Sequence, residues 1–319
     1  IDKGTQGGPY LEFPVVTNGP GKVTRIETGS EVYSSTRRTV GSRGQIYCPR
    51  MVYSFIIPGK DLAEASGETA IARLIKVYPE AALMEFHEYI VSQIVNGNGS
   101  TNNVEGMLTL NGDATFDPQG TAVNGILDFA AQNTAAETVL GITKSTTTGW
   151  YNQYQTVSSF ATNGRKQMRR VYWDASLQGK QGGPVDLMIG DIASYNNYYD
   201  DLDDQVRYAT SFKGESGKAV RQGLMFQEAE FYVEPDLDTS LSNFTTSNGN
   251  GAIYYLKTDS WHIYTQGEDT GMETKGDFAF RGPVKVPGQD AWEWENVLSM
   301  QMYCDRLNAN GAVTGTAIS

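Results

Sequence analysis

The longest helical pattern in the chain runs over residues 68–95 and limits what everything around it can become. Apolar residues recur at Ile71, Leu74, Ile75, Tyr78, Ala81, Ala82, Phe86, Tyr89, Ile90 and Ile94, the i, i+3, i+4, i+7 spacing of one helical face. Arg73, Lys76, Glu80, Glu85, Glu88 and Gln93 fall on the other side, and Asn96-Gly97-Asn98-Gly99 follows, a run suited to ending a helix in a left-handed cap. At about 1.5 Å per residue the helix spans roughly 40 Å, long for a globular domain. Pro79 lies inside it. A proline removes one backbone donor and crowds the preceding turn, which predicts a kink near Tyr78 or a restart at Glu80. Nothing in the helix suggests chemistry, so it reads as a strut.

The 319 residues are 39% hydrophobic and 19% charged, with 35 glycines and 18 tyrosines. That is a folded, loop-rich, β-leaning composition, long enough for one large domain or two modest ones. A net charge of −12 counts against a protein that grips nucleic-acid phosphates, which needs clustered Lys and Arg. No apolar run is long enough for a membrane helix and no signal-peptide pattern opens the sequence; Ile1 in place of Met reads as a processed or trimmed end. Cys48 and Cys304 are expected as free, partly buried thiols of a reducing compartment. His87 and His262 show no partner and read as structural.

Residues 1–9 are Gly-rich and polar and predict a flexible arm. From 10 to 57 the signal is β: Leu11, Phe13 and Val15 alternate, turns fall at 17–21 and 39–44, and 46–57 returns as a strand. The middle of this segment sets Arg25, Arg37, Arg38 and Arg43 against Glu27 and Glu31, with few large apolar residues. A two-stranded ribbon of that kind buries no core and must lie against its parent domain or a neighbouring subunit. Pro58-Gly59 ends it, and 60–65 predicts a short helix. Beyond the strut, a helix is expected over 163–179. The apolar stretch 184–190 predicts a strand feeding a helix over 192–204 capped by Asp191, a small α/β unit. Strands follow at 231–233, 252–256 and 261–264, with a closing segment over 296–316.

Candidate chemistry is sparse. Asp200, Asp201, Asp203 and Asp204 lack the alternating oxygen ligands, central Gly and distal Glu of a calcium loop, and read as a solvated or intersubunit face. Gly179-Lys180-Gln181-Gly182-Gly183 precedes a strand instead of opening a helix, unlike a phosphate cradle. No nucleophile elbow, zinc helix or paired-cysteine motif occurs. Glu293 and Glu295, flanked by Trp292 and Trp294, sit two apart on one strand, a solvated stripe more than a glycosidase pair. Catalytic, metal and cofactor residues are therefore expected to be absent: the chain reads as a building block, not an enzyme.

Three stretches carry a resemblance. Pro184-Val185-Asp186-Leu187-Met188-Ile189-Gly190 followed by Ile192-Ala193-Ser194-Tyr195, the strand Gly251-Ala252-Ile253-Tyr254-Tyr255-Leu256-Lys257-Thr258-Asp259, and the ending with Tyr303-Cys304-Asp305-Arg306 and Asn310-Gly311-Ala312-Val313-Thr314-Gly315 resemble passages of tailed-bacteriophage major capsid proteins, the Hong Kong phage-type capsid fold family. The order of elements along the whole chain is also similar. The resemblance implies an α+β fold with an N-terminal arm over 1–9 and an extended β-ribbon (E-loop) over 10–57. It implies a peripheral domain over 58–112 and 236–319 holding the spine helix 68–95, and an α/β axial domain over 113–235. Lys22, Arg25, Glu27, Glu31, Arg37, Arg38 and Arg43 would be ribbon contacts to the next subunit, and Asp200, Asp201, Asp203 and Asp204 axial contacts. Lys22, the only lysine between Lys3 and Lys60, would be the ribbon candidate for the lysine–asparagine cross-link of some relatives.

The resemblance implies a structural subunit that self-assembles into the icosahedral head of a tailed bacteriophage around double-stranded DNA, assembled in the host cytoplasm and located in the virion. Its partners would be copies of itself in pentamers and hexamers, with portal, scaffold and decoration proteins; packaged DNA would be contacted non-specifically, with no membrane and no cofactor. The same fold builds encapsulin-like storage shells. A reading from a different class, a carbohydrate or host-surface binding protein, draws on Trp150, Trp173, Trp261, Trp292 and Trp294, since aromatic faces stack on sugars.

Overall fold

In the computed structural model the described residues are 2–3, 10–16, 41–64, 68–97, 104, 106–107, 126–127, 138–143, 149–178, 183–203, 224–234, 237, 251–265 and 278–316. In chain order they form β1 (Asp2–Lys3), β2 (Tyr10–Val16), β3 (Gly41–Tyr47), β4 (Arg50–Pro58), α1 (Gly59–Glu64), α2 (Glu68–Asn96), β5 (Thr138–Val139), β6 (Ile142–Thr143) and β7 (Gln153–Thr156). There follow α3 (Arg165–Gln178), β8 (Leu187–Gly190), α4 (Ile192–Asp203), β9 (Leu224–Phe226), β10 (Ala229–Val233), β11 (Ala252–Leu256), β12 (Trp261–Thr265), β13 (Phe278–Lys285), β14 (Ala291–Cys304) and β15 (Gly311–Thr314).

Two sheets organise these elements. The first runs β1-β12-β14-β13, with β4 also paired to β14. Its axis is β14, whose first nine residues pair with β4 from Ala291↔Pro58 to Ser299↔Arg50, and whose last five pair with β12. Helix α2 lies on this sheet: Phe86, with Ile90 and Ile94, packs on Met51, Leu298 and Met300. Each fully buried side chain of this size contributes about 1.5–3 kcal/mol. The helix passes through Pro79 without the restart expected at Glu80. One missing donor in a 29-residue helix leaves the turns on either side bonded, and the packed turns at Ala82 and Phe86 hold it in register.

The second sheet has the order β7-β15-β11-β8-β10-β9. Strands β8 and β10 are parallel with α4 between them in sequence, the strand–helix unit expected from 184–204. Strand β11 is buried at every position, as a central strand covered on both faces must be. One face is roofed by α3 and α4: Met168, Val171, Tyr172, Ala175 and Tyr198 pack on Met188, Phe231, Ile253, Tyr255 and Val313. A Cβ at Gly311 would stand 2.4 Å from Val171 Cγ1, so glycine is what admits α3 this close to β15. The other face, through Ala252, Tyr254 and Leu256, joins a core containing Trp150, Leu140, Tyr264 and Tyr303. The expected cap is present: Asp191 Oδ2 accepts the Ser194 amide at 3.1 Å, while Oδ1 accepts the Ala252 amide at 2.9 Å. One carboxylate thus starts α4 and fixes it to β11.

A single buried amide locks the crossing between the two sheets. The chain leaves one sheet for the other at 257–260 and again at 305–310, and Asn310, fully buried, bridges both passages. Its Oδ1 accepts from the Lys257 amide and from Trp261 Nε1, each at 2.8 Å. Its Nδ2 donates to Arg306 O at 2.9 Å and to Ser260 Oγ at 3.0 Å, and its backbone carbonyl receives the Gln153 amide at 2.9 Å.

Four sequence expectations are corrected. The ribbon does not extend to 57: β2 and β3 pair over Tyr10↔Tyr47 to Val16↔Gly41, but β4 joins β14 instead. With Met51, Val52, Tyr53, Phe55, Ile56 and Ile57 apolar on both faces, β4 needs a sheet. The turn expected at 39–44 is in part strand, where Gly44 faces Phe13, whose ring covers the place of its missing side chain. Asp2 and Lys3 are not free arm but add a parallel strand to β12. The boundary expected at 235 is crossed by the second sheet, which takes β11 and β15 from beyond it, because those strands supply its buried centre.

The amide lock yields a stability prediction. Asn310→Ala leaves several buried donors and acceptors unpaired, at about 1–3 kcal/mol each. Urea denaturation of the purified chain is expected to show a loss of roughly 3–5 kcal/mol, against less than about 0.5 kcal/mol for the exposed Asn196→Ala. A loss below about 1 kcal/mol for Asn310→Ala would show that the crossing does not depend on this amide.

Candidate functional site

Among the described residues, Cys304, Ser260 and His262 are committed to structure. Cys304 is fully buried and burial pushes its thiol up to about 12; its neighbour Ser260 donates its hydroxyl to Lys257 O at 2.7 Å. His262 does have a partner, contrary to the sequence expectation: Nε2 lies 3.6 Å from Asp305 Oδ2, and the ring stacks on Tyr303 with centroids 5.0 Å apart. The pairing was hidden because β12 and the end of β14 are distant in sequence and adjacent only in the sheet. Glu293 and Glu295 sit opposite Ile56 and Ser54 of β4 on an open sheet face, with no cleft between them. Among the described residues no group of three His, Cys, Asp or Glu side chains is placed to hold a metal.

The surface is where the chain departs from an ordinary soluble domain. Val77 and Met84 are seven residues apart on α2, on the side away from Ala82 and Phe86, and Met84 is 70% exposed. Leu83 and Tyr89 are exposed as well, so the solvent side of the strut mixes large apolar side chains with the exposed Glu80, Glu85, His87 and Glu88. On the first sheet, Val52, Ile56 and Val284 are exposed around Glu293. On the roof of the second sheet Trp173 is 52% and Leu177 69% exposed. Large apolar side chains grouped on a surface are a common feature of interaction sites.

The site residues read from the sequence divide unevenly. Lys22, Arg25, Glu27, Glu31, Arg37, Arg38 and Asp204 lie outside the described residues. Arg43 is on the exposed edge of the ribbon, and its guanidinium meets Glu12 of the same chain at 3.3 Å, a pair worth little in stability at that exposure. The root of the ribbon is anchored in its own subunit by Phe13, Val15 and Ile46, with the Phe13 ring 4.4 Å from that of Tyr303. Asp200 is exposed on the outer side of α4, whereas Asp201 turns back to pair with Arg165 of α3. Asp203 ends α4. Missed in the sequence were the solvent-facing apolar residues of α2, β4 and α3. Val77, Leu83 and Met84 already stood outside the predicted helical stripe, which was the available signal.

No family model matches the sequence, and no curated protein sequence matches it. Solved structures do. The capsid of cyanophage A-1(L) superposes with a TM-score of 0.66 at 12% identity, over 98% of this chain and 89% of the other. The capsid of a native GTA particle gives 0.54 at 8% identity, over 98% and 86%. The SrpI encapsulin of Synechococcus elongatus gives 0.50 at 9% identity, over 98% and 84%. The chain therefore has a mixed helix-and-sheet fold of the phage major capsid type across nearly its whole length, as the resemblance implied.

The buried thiol supplies a check on this inert centre. With its pKa raised to about 12, Cys304 is thiolate in only about one molecule in ten thousand at pH 8. Iodoacetamide at pH 8 is expected to modify the half-buried Cys48 first and to leave Cys304 intact until denaturant is added, as read by peptide mass. Rapid modification of Cys304 in the folded subunit would show an accessible, activated thiol instead.

Proposed function

We propose that this chain is a major capsid protein, a structural subunit that assembles with copies of itself into a closed icosahedral shell. The observation that carries the reading is the phage capsid fold matched over 98% of the chain, on a chain whose strut helix leaves Val77, Leu83 and Met84 exposed beside its charged residues. An isolated domain gains nothing from such a face; a shell subunit covers it. Closed assembly from one chain uses heterologous contacts repeated around rings. In this reading the ribbon residues Lys22, Arg25, Glu27, Glu31, Arg37 and Arg38 reach acidic and basic counterparts on the next subunit, where charge complementarity sets register.

The shell encloses double-stranded DNA of a tailed phage, is located in the virion and is built in the host cytoplasm. Portal, scaffold and decoration proteins are its further partners. A net charge of −12 suits this role, because a wall lined with basic residues would hold DNA by its phosphates. The likeness to the SrpI encapsulin supports one alternative, a storage shell with protein cargo. The carbohydrate reading finds no such support: Trp150 and Trp294 are buried, Trp261 and Trp292 are half-buried, and Trp173 alone of the five is exposed.

Negative-stain electron microscopy of the expressed chain tests the proposal. Shells of uniform diameter are expected, with duplex DNA rather than folded enzyme as cargo when produced in infected cells. Met84→Glu, which places a charge on the outer side of the strut without touching its core side, is expected to lower shell yield at least about tenfold, a cost of roughly 1.4 kcal/mol per contact or more, while leaving the subunit folded. A monodisperse, compact monomer from the wild-type chain would overturn it.

A further inference from the structure

Helices α3 and α4 roof the same face of the second sheet and are tied at one end by the Arg165–Asp201 pair. Their outward sides are unlike. On α3 the exposed residues Lys166, Arg169, Arg170, Trp173 and Leu177 follow i, i+3, i+4, i+7, i+11, one continuous stripe. It is basic at its N-terminal half and apolar at its C-terminal half. On α4 the exposed residues Ile192, Asn196, Tyr199 and Asp200 follow i, i+4, i+7, i+8, with Asp203 at the next position of the same register. That stripe is apolar, then acidic. In a chain of net charge −12, the basic stripe is a local exception.

The charges are not all settled within the subunit. Arg165 pairs with Asp201, and Arg170 lies 3.8 Å from Asp174 one turn on. Among the described residues Lys166 and Arg169 have no acidic partner.

We propose that the α3 stripe of one subunit docks on the α4 stripe of the next copy of this chain, with Lys166 and Arg169 meeting Asp200 and Trp173 and Leu177 meeting Ile192 and Tyr199. The inference rests on the self-assembly reading and names one contact within it. Two features select a second copy over nucleic acid. Phosphates would satisfy the cations but leave Trp173 and Leu177 in water, whereas α4 offers both counterparts on one helix side. The overall negative charge also repels a duplex. In this contact each copy gives α3 to one neighbour and α4 to the other, a heterologous arrangement that makes a ring where the rotation closes.

Charge exchange tests it. Lys166→Glu with Arg169→Glu sets acid against acid and is expected to reduce assembled particles, measured by sedimentation and electron microscopy, at least about tenfold. Asn196→Lys with Asp200→Lys is expected to do the same from the other side. Mixing the two variant subunits matches contacts only where they alternate, so rescue is read in the chain carrying all four changes, expected to return to within about twofold of wild type. Unchanged circular dichroism and melting of the variants keeps misfolding apart from lost contact. Wild-type shells that persist in both double variants would overturn this contact while leaving the shell reading intact. Loss in the double variants without recovery in the fourfold chain would also overturn it. Intact shells with weakened binding of a fluorescent 30-base-pair duplex would assign the α3 stripe to DNA, and arrest at a dimer of wild-type chains would show a two-fold contact instead.

Discussion

The arrangement of the subunit depends on Asn310. Two sheets, one carrying the strut and one roofed by α3 and α4, are linked by the passages at 257–260 and 305–310, and a side chain with one acceptor and one donor group bonds to both of these. An aliphatic residue of the same volume would fill the space but leave the Lys257 amide and the Trp261 indole buried and unbonded. Directional bonds hold the sheets at one angle, where packing alone tolerates sliding. Asp191 acts in a similar way on the neighbouring strand, capping α4 while holding the amide that begins β11.

With the interior so fixed, the surface carries the functional information. The strut is buried on Ala82 and Phe86 and bare on Val77 and Met84. The first sheet is packed on the side of Met51 and Leu298 and open on the side of Val52 and Ile56. These are the proportions that the proposed shell subunit would need, its hydrophobic burial completed by neighbours. Among the described residues, Cys304, Ser260 and His262 serve as packing and hydrogen-bonding groups.

Much of the fold was legible. The strut, the strand–helix unit at Asp191 and the closing strands are local patterns, and each was visible as periodicity or as a cap. What escaped was pairing at a distance. Strand β4 reads as the return of a ribbon until β14 is seen beside it, and His262 looks solitary until Asp305 is brought opposite. The candidate interface was half legible: Asp200 could be named, but its neighbour Asp201 could not be separated from it, because which of two adjacent aspartates turns inward depends on where Arg165 stands. The outer apolar residues of α2 were in plain view and read only as irregularities of a single stripe.

Local composition and spacing determined that this chain would have a long apolar helix, strands of a particular order, a capped α/β unit and no motif for catalysis, since those follow from period, propensity and residue type within a turn or two. Tertiary structure alone decided which strands became neighbours, which charges were neutralised internally and which apolar side chains were left to solvent. The reason is that burial and ion pairing are relations between segments far apart in the chain, and a sequence shows only what stands next to what.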